Sequence, residues 1–159
     1  MIDQSIYWDT YRSRYTHVAL DYNVGWNSAY VSWSTDGNSW TTPTMVLAGD
    51  PPSNTTWDFP SVAADNNGRM VVGASKLVNT LNSGYWTSYS TDGGATWNGP
   101  YQVGNLPGAT SRLVWSASGF HVFILDTSDS MSLKLRHWSS TDASPGLNKR
   151  RSARTVLPC

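Results

Sequence analysis

Glutamate is absent: all eleven acidic residues of the 159-residue chain are aspartate. Helices thereby lose a favoured surface residue, which weakens the case for any helical architecture. Cysteine is almost absent too, and Cys159 has no second cysteine to pair with, so an internal disulfide is excluded and the redox compartment stays open. No apolar run is long enough to span a bilayer. Residues 1–20 alternate polar and aromatic side chains where a signal peptide would have a basic start and an apolar run. The phosphate-cradling glycine loop, the nucleophile elbow and the Cys-x-x-Cys pair are all missing. His17, His121 and His137 fall in three separate predicted strands without ligand spacing, and Asp126 with Asp129 supplies too few oxygens for a calcium loop. Neither a metal nor a cofactor is expected.

Formal charge is zero, with Lys149, Arg150, Arg151 and Arg154 crowded into the last eleven residues. The remainder carries a modest acidic excess, which does not attract nucleic acid or an anionic membrane surface. The basic end reads as an irregular tail over residues 147–159. What the chain does have is Trp, Tyr, Thr, Ser, Asn and Gly in abundance, the composition of strands joined by tight turns. All-β is the expected class.

An internal repeat near fifty residues organises those strands. Ser90-Thr91-Asp92-Gly93-Gly94-Ala95-Thr96-Trp97 is matched upstream by Ser34-Thr35-Asp36-Gly37-Asn38-Ser39-Trp40, one residue shorter, and downstream by a degraded copy at Ser140-Thr141-Asp142. An alternating strand precedes each copy: Ala29–Trp33, Tyr85–Tyr89 and Leu133–Trp138. Before each strand lies a hairpin pattern, most legible where Asn66-Asn67-Gly68 separates Pro60–Ala64 from Arg69–Ala74. A further short strand follows the two intact copies, at Thr44–Leu47 and Tyr101–Val103. Each repeat is thus a four-stranded antiparallel meander, the plan of a propeller blade. The expected architecture is a partial β-propeller of about three such blades, near residues 1–48, 49–105 and 106–146.

Ser-x-Asp-x-Gly-x-Thr-Trp resembles the Asp-box, or bacterial neuraminidase repeat, of sialidases and related propellers, and the resemblance covers roughly residues 1–145. It implies a six-bladed parent ring that acts on or binds sugars, sialosides among them, usually in an extracellular or secreted setting. It does not imply that the boxes are catalytic. A carboxylate at the start of a tight turn accepts the exposed N–H groups that follow, Gly94 supplies a positive φ, and Trp97 packs back on the hairpin. Ser34, Asp36, Trp40, Ser90, Asp92, Gly94, Thr96, Trp97 and Asp142 are therefore assigned to structure.

Connectivity places a ligand at the opposite end of the blades. The turns joining first to second and third to fourth strands share one end, with Arg14, Arg69 and Asn66-Asn67-Gly68. The other end is built from residues 23–28, 79–84 and 127–130 and from the links 49–59 and 104–112. Trp26, Trp57, Asp50, Asp58, Tyr85 and Arg112 fall there: aromatic faces for pyranose rings, acids for hydroxyls and an arginine for a carboxylate. Packing between blades is the competing role for each Trp, and capping the turn before Pro60 is the competing role for Asp58.

Asp58 is the weak catalytic candidate. Sialidases pair a Tyr nucleophile with a Glu, use three Arg and add an Asp; with no Glu, and with the Arg-Ile-Pro signature of their first blade missing, that site is incomplete here. A glycan-directed module that is not a full catalytic unit, a part of a larger glycosidase, and a non-catalytic scaffold propeller all remain open. The exposed faces of an open arc also imply self-association to complete a ring.

Overall fold

In the computed structural model of the protein, residues 4–21, 27–50, 52–104, 108–126, 134–141 and 152–155 are described. They form twelve strands and no helix. Strands β1 (Gln4–Asp9), β2 (Arg14–Asp21), β3 (Ser28–Ser34) and β4 (Thr44–Leu47) pair in that order as one antiparallel sheet. Strands β5 (Thr55–Ala64), β6 (Met70–Val78), β7 (Leu81–Ser90) and β8 (Asn98–Gly104) repeat the meander, as do β9 (Gly108–Ser116), β10 (Gly119–Asp126), β11 (Lys134–Ser140) and β12 (Ser152–Thr155). Three antiparallel four-stranded sheets make this a partial β-propeller. Strand β12 corrects the expectation of an irregular tail: it pairs with β11 through backbone groups, from Lys134↔Thr155 to His137↔Ser152. Such an edge strand needs no alternating apolar side chains to form.

The register superimposes the repeats. Tyr15 lies opposite Ser34, Met70 opposite Ser90, and Phe120 opposite Ser140. Counting from these ranks, Met70, Val72 and Ala74 occupy the positions of Tyr15, His17 and Ala19 in the first sheet and of Phe120, Val122 and Ile124 in the third. In the second sheet this leading face, with Val62 and Ala64, packs on Val18, Leu20, Ala29 and Val31 of the first. Its trailing face, with Ala63, Val71 and Tyr85, packs on Leu113, Phe120, Val122, Ile124 and Trp138 of the third. Burying one such aliphatic or aromatic side chain stabilises by roughly 1.5–3 kcal/mol, so the sheets are held chiefly through these two apolar seams. Along them the first strands meet one another, β1 against β5 and β5 against β9.

A polar contact tightens each seam at the end carrying the Ser-Thr-Asp turns. Asp9 is buried and accepts the Arg12 backbone N–H at 3.2 Å, and the Arg12 and Arg14 guanidinium groups lie 3.4 and 3.6 Å from its second oxygen. Arg14 then donates to the Gly93 carbonyl of the second sheet's turn at 2.6 Å and covers the Trp33 ring. One sheet along, Asp65 and Arg69 repeat the pair, and Arg69 donates to the Thr141 carbonyl at 3.1 Å. The turn between β9 and β10 has Ser116 and Gly119 at these positions.

The Ser-Thr-Asp turns are closed by their own side chains. Ser90 Oγ donates to Asp92 and accepts the Gly94 N–H at 2.7 Å; Asp92 accepts both the backbone N–H and the hydroxyl of Thr96; Trp97 donates to the Gly94 carbonyl. The shorter copy repeats this with Ser34, Asp36 and Trp40, where Asp36 takes the N–H groups of Asn38 and Ser39. Gly94, at φ 92°, holds a conformation that a side chain would strain. Asp142 lies outside the described residues. The N–H groups of Ser39 and Asn38 and the Ser34 hydroxyl hold the Asp36 carboxyl down to about 2, and the Thr96 hydroxyl and N–H hold Asp92 low as well. A depressed folded pKa stabilises above the unfolded value near 4. The contribution is lost as pH falls through the folded pKa. Carboxyl NMR titration is therefore expected to find Asp36 and Asp92 still ionised at pH 3; midpoints near 4 would show that these turns do not bind their carboxylates.

Candidate functional site

The first strand of the middle sheet is interrupted by a bulge with a left-handed residue inside it. Pairing of β5 with β6 runs in register to Asp58↔Ser75 and resumes at Ser61↔Gly73, so Asp58–Ser61 form a bulge. Phe59 within it has φ 53°, an unfavourable conformation for an aromatic residue. Pro60 follows, and a bulge is one of the few sites inside a sheet that tolerates proline. The bulge is docked on the third sheet: Ser111 Oγ donates to the Phe59 carbonyl at 3.3 Å, and Ser61 Oγ accepts the Leu113 N–H at 2.8 Å. Arg112 lies between those two contacts in sequence, is exposed, and donates to the Ser111 carbonyl at 3.3 Å.

Asp58, Ser75 and Tyr85 share one rank across β5, β6 and β7. Asp58 is half-buried, whereas Tyr85 is fully buried with its ring end over Gly73, whose lack of a side chain leaves the room. Burial raises the Tyr85 phenol's pKa strongly, while the Ser111 hydroxyl and the positive charge of Arg112 pull it partly back. The phenol is therefore neutral at ordinary pH. Asp58 and Tyr85, expected together with Arg112 from connectivity, share a rank on the face of the second sheet that packs against the third. Arg112, between Ser111 and Leu113 and opposite Phe123, alternates to the other face of β9, and its charge still reaches Tyr85.

The other sequence candidates separate from them. Trp57 alternates to the opposite face of β5, where it is buried in the seam with the first sheet and its indole N–H donates to the Ala48 carbonyl at 2.8 Å. Its ring has no free face for a sugar, so inter-sheet packing is its role. Tyr85 needs the same correction as a direct contact, because its ring is enclosed and it can act only from beneath the surface. Asp50 is exposed on the link to β5, tied by a backbone bridge to Thr55. Trp26 lies outside the described residues. Sequence reasoning missed Phe59 and Ser111; the Asp-Phe-Pro run signals a break in the strand, but not the sign of φ. It also kept the histidines apart, although His121 and His137 on adjacent strands share a 2.8 Å hydrogen bond and stack with Phe123. Among the described residues no group of three or more His, Cys, Asp or Glu is gathered to hold a metal.

No protein family's sequence profile and no curated protein sequence matches the chain. Solved structures do. An α-L-arabinanase of Penicillium chrysogenum complexed with arabinobiose superposes with a TM-score of 0.61 at 12% identity, covering 99% of this chain and 45% of that one. The native arabinanase of Bacillus subtilis gives 0.59 at 14% identity over 98% and 58%, and a GH43 endo-arabinanase of Bacillus licheniformis gives 0.58 at 12% over 97% and 58%. The likeness is one of fold. The chain spans about half the length of these neighbours. They are five-bladed propellers of a glycoside hydrolase family, which overturns the sialidase assignment and its six-bladed parent. The physical reason is that a Ser-Thr-Asp-Gly turn solves a local problem, satisfying the N–H groups of a hairpin, and any antiparallel blade can use it.

Proposed function

We propose that this chain is a carbohydrate-directed propeller module whose ligand binds at the junction of β5 and β9, through Asp58 and Arg112. The single observation that carries the reading is the strained bulge at Asp58–Ser61 on the inner strand, pinned by Ser111 and flanked by Arg112. Strain of this kind concentrates at binding sites, and a bulge re-aims side chains. A carboxylate on the bulge and a guanidinium on the neighbouring strand β9 offer charged hydrogen-bond partners to the hydroxyl groups of a sugar. The arabinose-based ligands named for the fold neighbours are the first class to test.

Hydrolysis by these three sheets alone is not part of the proposal. Glycosidases of the usual kind set two carboxyl groups about 5–9.5 Å apart across the scissile bond, and the chain supplies about half the length of its fold neighbours. Further sheets, from a longer polypeptide or a second copy, would complete the wall, which keeps part of a glycoside hydrolase as the second reading. An extracellular or secreted setting belongs to the same proposal. Calorimetric titration with arabino-oligosaccharides tests it: Asp58→Asn and Arg112→Ala should each weaken binding by about tenfold or more, the loss of one charged hydrogen bond, with little change in denaturation midpoint. Unchanged affinity in both variants, or no binding by the parent protein, would remove the proposal.

A further inference from the structure

The first sheet shows a face that its two fellows bury. Ile6, Val62 and Leu113 occupy one register position, opposite His17, Val72 and Val122, yet Ile6 is 59% exposed against 2% and 3%. Tyr15, Met70 and Phe120 occupy the next, at 39%, 0% and 3%. Trp8, Trp40 and Met45 add to this surface, with Trp8 edge-on to Tyr15 and Trp40 edge-on to His17. The third sheet shows the complementary trailing face. There Val114, His121, Phe123 and Leu135 stand where Tyr7 with Thr16 and Val18, or Ala63 with Val71, make the internal seams. Val114 and Leu135 are exposed.

We propose that the leading face of the first sheet binds the trailing face of the third sheet of a second copy of this chain, head to tail. The argument is continuity with an interface the molecule already makes twice: trailing face onto leading face, apolar residues meeting at the same register positions. Both missing halves are present on one chain, so a second copy is a partner of the right chemistry for a head-to-tail contact. Where the internal seams have Arg14 and Arg69 reaching into the next sheet's turn, the new seam has Gly119, so it is held by apolar contact without that cationic tie. This inference does not rest on the sugar-binding reading, although Arg112, opposite Phe123, stands on the same trailing face.

Sedimentation equilibrium of the full chain, monomer mass 17.5 kDa, tests it. The parent protein should associate in the micromolar range, and Ile6→Asp or Leu135→Asp should each abolish association, both sites being exposed enough to leave folding intact. Mixing the two variants should restore a hetero-pair, since one intact leading face and one intact trailing face remain. A parent that stays monomeric to high micromolar concentration would overturn the proposal. So would a Leu135→Asp variant that associates normally, because the contact would then join two leading faces, and so would a mixture without restoration.

Discussion

Replacing Asp9 with alanine is expected to lower folding stability by about 3–5 kcal/mol, the range for removing one partner of a buried ion pair. Asp9 is completely enclosed and is the only carboxylate paired with both Arg12 and Arg14 among the described ion pairs. Burial lowers the Arg14 guanidinium's pKa and Asp9 raises it back. Without the carboxylate a largely buried cation is left facing the Gly93 carbonyl, the Met70 sulfur and the Trp33 ring, none of which carries a neutralising charge. The damage reaches the seam between sheets as well as the turn. Urea denaturation of Asp9→Ala beside Asp36→Ala checks this, since Asp36 sits in an exposed turn and should cost much less. Equal losses would show that the arginine contact does not hold the first two sheets together.

Trp57→Ala is the second large effect, about 3–5 kcal/mol, as for other buried aromatic deletions. The indole fills the seam between the first two sheets, donates to Ala48, and has the Lys76 ammonium 6.0 Å from its ring centre. Deleting it removes packing and leaves the Ala48 carbonyl without its indole donor. Any folded Trp57→Ala protein should still bind sugar, because Asp58 points to the other side of β5. The combination of a thermal melt and a titration decides between the roles. Parental stability with lost affinity would return Trp57 to the binding surface.

Neighbouring residues explain how far the sequence could be read. The Ser-Thr-Asp turns and the alternation before them are local, so three meanders and their order were legible from composition, spacing and turn chemistry. The contrast between Trp57 and Asp58 was not: alternation says they face opposite ways, but which face is covered depends on which sheet packs there. The Phe59 distortion is likewise invisible, because the carbonyl it presents is met by Ser111, more than fifty residues away. Arg14 and Arg69 were placed at the correct end, while their carbonyl partners lie 79 and 72 residues along the chain. Strand β12 has no side-chain pattern because backbone pairing alone makes it. The parentage misled for a related reason, since a turn motif is conspicuous in sequence, whereas a blade arrangement shared at 12–14% identity is not.

The central claim is that a ligand meets this propeller at the inner junction of the second and third sheets, away from the Ser-Thr-Asp turns. Amide chemical-shift mapping during titration with an arabino-oligosaccharide tests it most directly. The account predicts that the perturbed amides centre on Asp58, Phe59, Ser111 and Arg112, with those of Asp36 and Asp92 unmoved. Perturbations centred on the two turns, or on the exposed Ile6 and Trp8 face, would contradict it.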